Sequence, residues 1–168
     1  RIKQAITLSD FMFSEPLGLE MVYGVLEGNH HVEIFDMIIE KISLSKKINS
    51  FKPDLVGITS LCIDVNMVLK LCFEVKFLDK NIITIVGGTQ AFLNPNSFFH
   101  KSVDHVFQFT NSYNINKFCN LISLGQMELI DGIRSRQFNF KDTGVRGRNE
   151  YLLPNRKSTL KYRYEYSY

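Results

Sequence analysis

The order of apolar runs predicts an α/β protein: a doubly wound, five-stranded parallel sheet (Rossmann-like) with a basic C-terminal extension. Three observations carry this expectation. Short apolar runs alternate with helix-period segments over residues 1–126. Two of the runs, "DLVGITS" and "NIITIVGG", are nearly unbroken, as in strands buried on both faces. Glycines close segments at Gly28, Gly87–Gly88 and Gly125.

Taken in order, "QAITL" (Gln4 to Leu8) predicts the first strand. From Gly18, Leu19, Val22, Tyr23 and Leu26 recur at helical spacing up to Gly28 as a C-cap. "HVEIFD" (His31 to Asp36) alternates apolar and polar residues and predicts a second strand. A variable stretch with room for a helix leads to the third strand, Asp54 to Ser60. "DVNMVLKLCFEVKFL" follows as a helix with Val65, Val68, Leu69, Cys72, Phe73 and Val75 crowding one side. "NIITIVGG" is the fourth strand, "NPNSFF" a short helix, "VDHVFQF" the fifth strand and "NINKFCNLISLG" the last helix. Strands separated by helices run parallel, because a crossover returns each strand in the same direction. Ligands of such sheets sit beyond the C-terminal strand ends. The informative loops are therefore residues 9–18, 36–40, 59–66, 87–95 and 109–114.

Composition narrows the function classes. The net charge of +3 does not by itself call for nucleic acid, but its placement is uneven. From Gly132 onward nine Lys/Arg face three acids, so the tail is +6 and the remainder −3. A solvated, loosely folded extension is the expectation there, with nucleic-acid or membrane contact as the alternative. Cys62, Cys72 and Cys119 are too scattered for a disulfide framework or a zinc site and suit free thiols in a reducing cytoplasm. No apolar run is long enough to span a membrane. Arg1 in place of Met, and an ending in "YRYEYSY" without a cap, read as the ends of a piece of something longer. The division expected is 1–126 as the Rossmann-like domain and 127–168 as extension or linker.

Two loops carry a paired signal. "TSL" (Thr59, Ser60, Leu61) follows the third strand, and Gly87–Gly88 follow the fourth, where missing side chains let a large ligand approach the backbone. This resembles the cobalamin-binding Rossmann-like domain, whose fingerprint is Asp-x-His-x-x-Gly, then Ser-x-Leu, then Gly-Gly. Forty residues separate Gly18 from Thr59 and twenty-five separate Leu61 from Gly87, a close fit with Thr59 in place of Ser. Counting back from Gly18, the family's His falls on Glu15 and its Asp on Phe13, so the lower axial ligand of cobalt is missing from this loop. A carboxylate followed by a rigid proline does not replace a neutral imidazole as a strong donor.

The departure is itself familiar. "SEPLGLEMVYGVLEGNHHVEIFD", "PDLVGITS" with "DVN", "VGGTQAFLNPNSFF" and "VDHVFQF" resemble the N-terminal domain of cobalamin-dependent radical SAM proteins, of the anaerobic Mg-protoporphyrin IX monomethyl ester cyclase and methyltransferase kinds. "LLPNRKSTLKYRYEY" is similar to the linker before their radical SAM barrel. The resemblance implies a cobalamin-binding module, with Ser14, Glu15, Pro16 and Leu17 under or beside the corrin. It also implies cofactor contacts at Thr59, Ser60, Leu61, Asp64, Asn66, Gly87, Gly88, Thr89, Gln90, Phe109 and Thr110. The barrel of the same parent chain is the implied partner. Neither nucleic acid nor a membrane span is expected, and the cytoplasm is the expected location. The [4Fe–4S] cluster and S-adenosylmethionine would belong to that downstream domain, since this chain has no Cys-x-x-x-Cys-x-x-Cys. The piece alone is then not expected to be catalytic.

Alternatives stand beside these roles. The family's Gly-Glu-Gly-Glu after the fifth strand is here "FTNS" (Phe109 to Ser112), and a bulky Phe109 there would weaken or abolish binding. The chain would then be a degenerate Rossmann-like domain serving as a structural or docking module. Thr89 and Gln90 stand where relatives often carry His. Asp64 reads first as a helix cap and only then as a cofactor contact. Glu15 reads as a carboxylate favoured by a helix N-terminus. Asn66 either donates to a cofactor amide or faces solvent. His30, His31, His100 and His105 are read as structural. "YRYEYSY" packs on a neighbouring domain or, alternatively, stacks on bases. A receiver-like domain is excluded, because its clustered acids and lysine are not evident.

Overall fold

The computed structural model describes residues 15–144, 152–163 and 165–166. The chain divides into two compact units, Ile42–Leu152 and a second made of Arg1–Lys41 with Leu153–Tyr168.

In Ile42–Leu152 the elements are α2 (Leu44–Phe51), β1 (Leu55–Thr59), α3 (Val65–Leu78), β2 (Ile83–Gly87), α4 (Thr89–Leu93), β3 (His105–Phe107), α5 (Ser112–Ser123) and β4 (Ile133–Ser135). Among the described residues the sheet has the order β1-β2-β3-β4. β1, β2 and β3 pair in parallel, Leu55 opposite Ile83 and Ile85 opposite His105, whereas β4 runs antiparallel with Val106 opposite Arg134. Each end has a local cause. Ser43 caps α2 by accepting from the Lys46 amide, and Lys52 ends it in the left-handed region at φ 52°. Asn111 and Asn114 form a reciprocal capping box that starts α5. β3 stops after three residues because the amides of Gln108 and Phe109 both donate to the Gly132 carbonyl.

Both faces of this sheet are covered. Val86 and Val106 meet Val68, Cys72, Ala91, Phe98 and Val103 in one cluster, while Phe107 and His105 meet the ring of Phe118 on α5. The helix-on-both-faces layering of an α/β domain is therefore present. Burial pushes the Cys72 thiol up to about 12, which makes it a small apolar side chain rather than a nucleophile.

Five parallel strands do not appear among the described residues. There are four among them, and one is antiparallel. The predicted first strand, Gln4 to Leu8, lies outside the described residues, and the described order β1-β2-β3-β4 contains no reversal that would make the sheet doubly wound. His31–Asp36 joins no ladder among the described residues. The reason is that its backbone groups are taken by side chains: the Ile34 amide donates to Ser158 Oγ at 2.8 Å, and the Ile34 carbonyl accepts from the Tyr162 hydroxyl at 3.2 Å.

In the other unit, α1 (Leu17–Leu26) packs with a 3-10 turn, Arg156–Ser158, which in turn packs with a second, Leu160–Tyr162. The expectation of a loose, solvated tail is corrected here. Arg156 pairs with Glu15, Lys157 with Glu27, and Lys161 with both Glu33 and Glu40. Tyr162 and Tyr166 of "YRYEYSY" are buried, and the Tyr166 hydroxyl donates to Asp36 at 3.0 Å. Further back, the tail supplies β4 to the sheet, and Arg134 and Arg136 pair with Asp142 and Asp104.

Candidate functional site

The C-terminal ends of β1 and β2 form one corner. Gly88 lies at φ +93°, ψ −173°, a conformation open essentially to glycine alone. A β-carbon there would stand 2.7 Å from the backbone nitrogen and oxygen of Ser60 and 2.7 Å from Thr59 Oγ1. Gly87, by contrast, would bring a β-carbon no closer than 3.7 Å to Phe107. The need for glycine at 88 thus comes first from the chain's own "TSL" turn, which crosses directly over it.

Ser60 is the knot of that turn. It is fully buried, its amide donates to the Gly87 carbonyl at 2.8 Å, and its hydroxyl donates to the same oxygen at 2.7 Å. The Ser60 carbonyl in turn accepts from the Gln90 amide. The hydroxyl expected to face a ligand is therefore spent inside the corner. Thr59, Leu61, Gly88 and Thr89 are exposed around it, and Asn66 is exposed on the first turn of α3. Asp64 occupies the N-cap position of α3 without a side-chain cap; its carboxylate accepts instead from the Leu61 amide at 2.9 Å and closes the 61–64 turn. Gln90 donates to Ser97 Oγ at 3.3 Å.

Phe109 and Thr110 follow β3. The Phe109 ring meets that of Phe92 edge-on at 5.2 Å, and its carbonyl accepts from Asn114 Nδ2. Thr110 is exposed. The atoms nearest the missing side chain of Gly88 belong to Ser60 and Thr59 and not to Phe109. A cavity of about 160 Å³ beside Phe109, lined by Gln108, Gly132, Arg134 and Thr143 among others, is far too small for a macrocycle.

In the other unit, Ser14 lies outside the described residues. Glu15 is held by Arg156, whose Nε and Nη2 both donate to its carboxylate at 2.9–3.0 Å. Pro16 is the N-cap of α1, its carbonyl accepting from the amides of Leu19 and Glu20, and Leu17 is exposed on the first turn. Among the described residues no group of three His, Cys, Asp or Glu could hold a metal ion, and no helix is long and apolar enough to cross a membrane.

A residue that sequence reasoning passed over is Glu20, a fully buried carboxylate on α1. Its only sequence signal is an acid among the apolar positions of that helix.

The Thr59–Gly88 corner fits a broad, flat cofactor lying on exposed backbone: it offers a side-chain-free strand end, the exposed threonines Thr59 and Thr89 and an apolar Leu61. A protein of Pyrococcus horikoshii described as an uncharacterized methyltransferase is 33% identical over 86 residues; the match covers 48% of this chain and 18% of that protein. The N-terminal domain of a hypothetical protein from Thermotoga maritima superposes with a TM-score of 0.47 at 20% identity, over 74% of this chain and 96% of that one. The model of the B12-binding domain matches residues 5–111, well over half of the sequence, and the chain belongs to the B12-binding domain family.

Proposed function

We propose that the chain is the cobalamin-binding module of a larger, cytoplasmic radical SAM enzyme, holding the corrinoid without a lower axial histidine from its first loop. The observation that carries this is the corner where Gly88, at φ +93°, leaves exposed backbone beside Thr59 and Leu61 at the C-terminal strand ends. Membership of the B12-binding family supports the ligand class. The methyltransferase description of the relative, of which this chain spans 18%, supports group transfer by a larger parent.

Thr59, Leu61, Gly87, Gly88 and Thr89 would hold the cofactor, with Ser60 acting from behind by fixing the turn. The bound cobalt supplies the metal-centred chemistry, and the chain's residues supply binding and orientation. A radical SAM barrel with its [4Fe–4S] cluster and S-adenosylmethionine is the proposed partner elsewhere in the parent chain.

The test is retention of colour. The purified chain, mixed with hydroxocobalamin and passed through a desalting column, should keep a corrin absorbance, and Leu61→Glu, an exposed change that spares the core, should release it. A wild-type chain that emerges colourless sinks the proposal. That outcome would favour the second reading, a docking module without cofactor. Its supporting observation is that Phe109 packs against Phe92 while the protein's own turn accounts for Gly88.

A further inference from the structure

We propose that residues 153–163 form a two-position strap over α1, shut by salt-sensitive ion pairs and loaded against closure by the buried carboxylate of Glu20. The inference concerns one compact unit and is independent of cofactor binding.

The closed position is defined by contacts along the length of α1 and the segment after it. The Asn155 amide donates to the Glu20 carbonyl at 3.0 Å, and Asn155 Nδ2 donates to Glu27 at 2.8 Å. The strap crosses at Gly24, where a β-carbon would stand 3.1 Å from the Leu153 carbonyl and 3.2 Å from Asn155 Cβ. Lys157 and Lys161 then reach Glu27, Glu33 and Glu40 at 2.8–3.1 Å. These lysines are exposed, so salt screens what they contribute.

In the closed position Glu20 is completely buried, in contact with Thr159 of the strap. Its Oε1 accepts from the Thr159 hydroxyl, but among the described residues Oε2 has no hydrogen-bond donor. Among the described residues the cation paired with it is Arg156, 3.9 Å away and already engaged by Glu15 through two nitrogens. One guanidinium thus serves two carboxylates, and the buried one is the worse served. Leaving such an oxygen unpaired opposes burial. Opening the strap hydrates Glu20 and simultaneously releases Arg156 from the carboxylate of Glu15.

Glu20 can be replaced without orphaning its partner, because Thr159 Oγ1 also lies 3.1 Å from the Arg156 carbonyl. Hydrogen exchange on the chain reads the strap directly, with β2 as the internal reference. Glu20→Met and Glu20→Gln should slow exchange in peptides covering 153–163 by about tenfold, equivalent to ~1.4 kcal/mol. Gly24→Ala should speed it, and so should salt near 1 M, where the screening length falls to about 3 Å. The proposal is overturned if both Glu20 variants leave exchange of the strap unchanged or faster, or if Gly24→Ala and salt leave it unmoved.

Discussion

Val86, Val106, Phe98 and Cys72 are buried together in Ile42–Leu152, whereas the buried set of the other unit includes Glu20, Thr159, Tyr162 and Tyr166. The first unit is organised by apolar shape: continuous strands, a covered sheet and one corner so tight that only glycine fits. The second is organised by polar partners that lie far apart in sequence, with acids of residues 15–40 answered by bases of residues 156–161. Apolar packing does not depend on charge screening and is intolerant of added volume, whereas exposed paired charges are weakened by screening. The two regions should therefore fail under different insults.

The largest separation should come at the glycine corner. Gly88→Ala combines a disfavoured backbone conformation with contacts of 2.7 Å to backbone atoms that have no rotamer to retreat into. A loss of about 3 kcal/mol in chemical denaturation is expected, with corrin retention abolished. Gly87→Ala, whose β-carbon meets Phe107 at an ordinary 3.7 Å, should be nearly neutral. Equal effects of the two substitutions would mean that the turn over Gly88 is not the constraint described.

Acid sharpens the comparison from within the apolar unit. His105 is buried, and its Nδ1 lies 2.9 Å from Ser135 Oγ. Burial, helped by the charges of Lys76 and Arg136 and partly offset by Asp104, lowers its pKa to about 4. The unfolded chain takes up that proton near 6.5, so stability is full above 6.5 and declines as pH falls toward 4. A decline of about 2–3 kcal/mol across that window is expected, and His105→Gln should flatten it. Asp104 acts lower. Burial alone would raise its pKa, but Lys76, the Thr84 amide and Arg136 outweigh burial and hold it below 3.8, so its contribution is lost only in stronger acid. A slope between pH 6.5 and 4 that survives in His105→Gln would assign it to another group.

The same contrast explains what could be read from the sequence. Leu55–Thr59 and Ile83–Gly87 were legible because their apolar runs are nearly unbroken; Ile83–Gly87 is the covered strand, whereas Leu55–Thr59 is half-buried with Gly57 and Thr59 exposed. Ile133–Ser135 was not, because three residues reading Ile-Arg-Ser carry no pattern; the pairing comes from β3 and from the covering of its faces. His31–Asp36 has the right alternation for a strand, yet Ser158 and Tyr162, over a hundred residues away, capture the backbone of Ile34. At the candidate site, Gly87–Gly88 and "TSL" announced a corner. That Ser60 turns inward, and that Asp64 closes the turn rather than capping α3, depends on geometry no spacing encodes. The basic excess of the tail was visible as well. Its partners were hidden, because Glu15, Glu27, Glu33 and Glu40 are dispersed through segments that look like ordinary solvated faces.

The smallest effects should lie in the polar unit, and their ranking tests whether its tyrosines or its lysines hold it. The Tyr162 hydroxyl accepts from the Asp36 amide, donates to the Ile34 carbonyl and contacts Glu40, all around a ring that is buried. Tyr162→Phe keeps the ring and removes those hydrogen bonds, so a loss of about 1–2 kcal/mol is expected. Lys157 makes an ion pair with Glu27 from a fully exposed position, where water and salt compete freely. Lys157→Ala should leave the denaturation midpoint where it was. If removing Lys157 costs as much as removing the Tyr162 hydroxyl, paired charge rather than buried hydrogen bonding holds that unit. The sensitivity to salt expected of its rim would then extend to the whole of it.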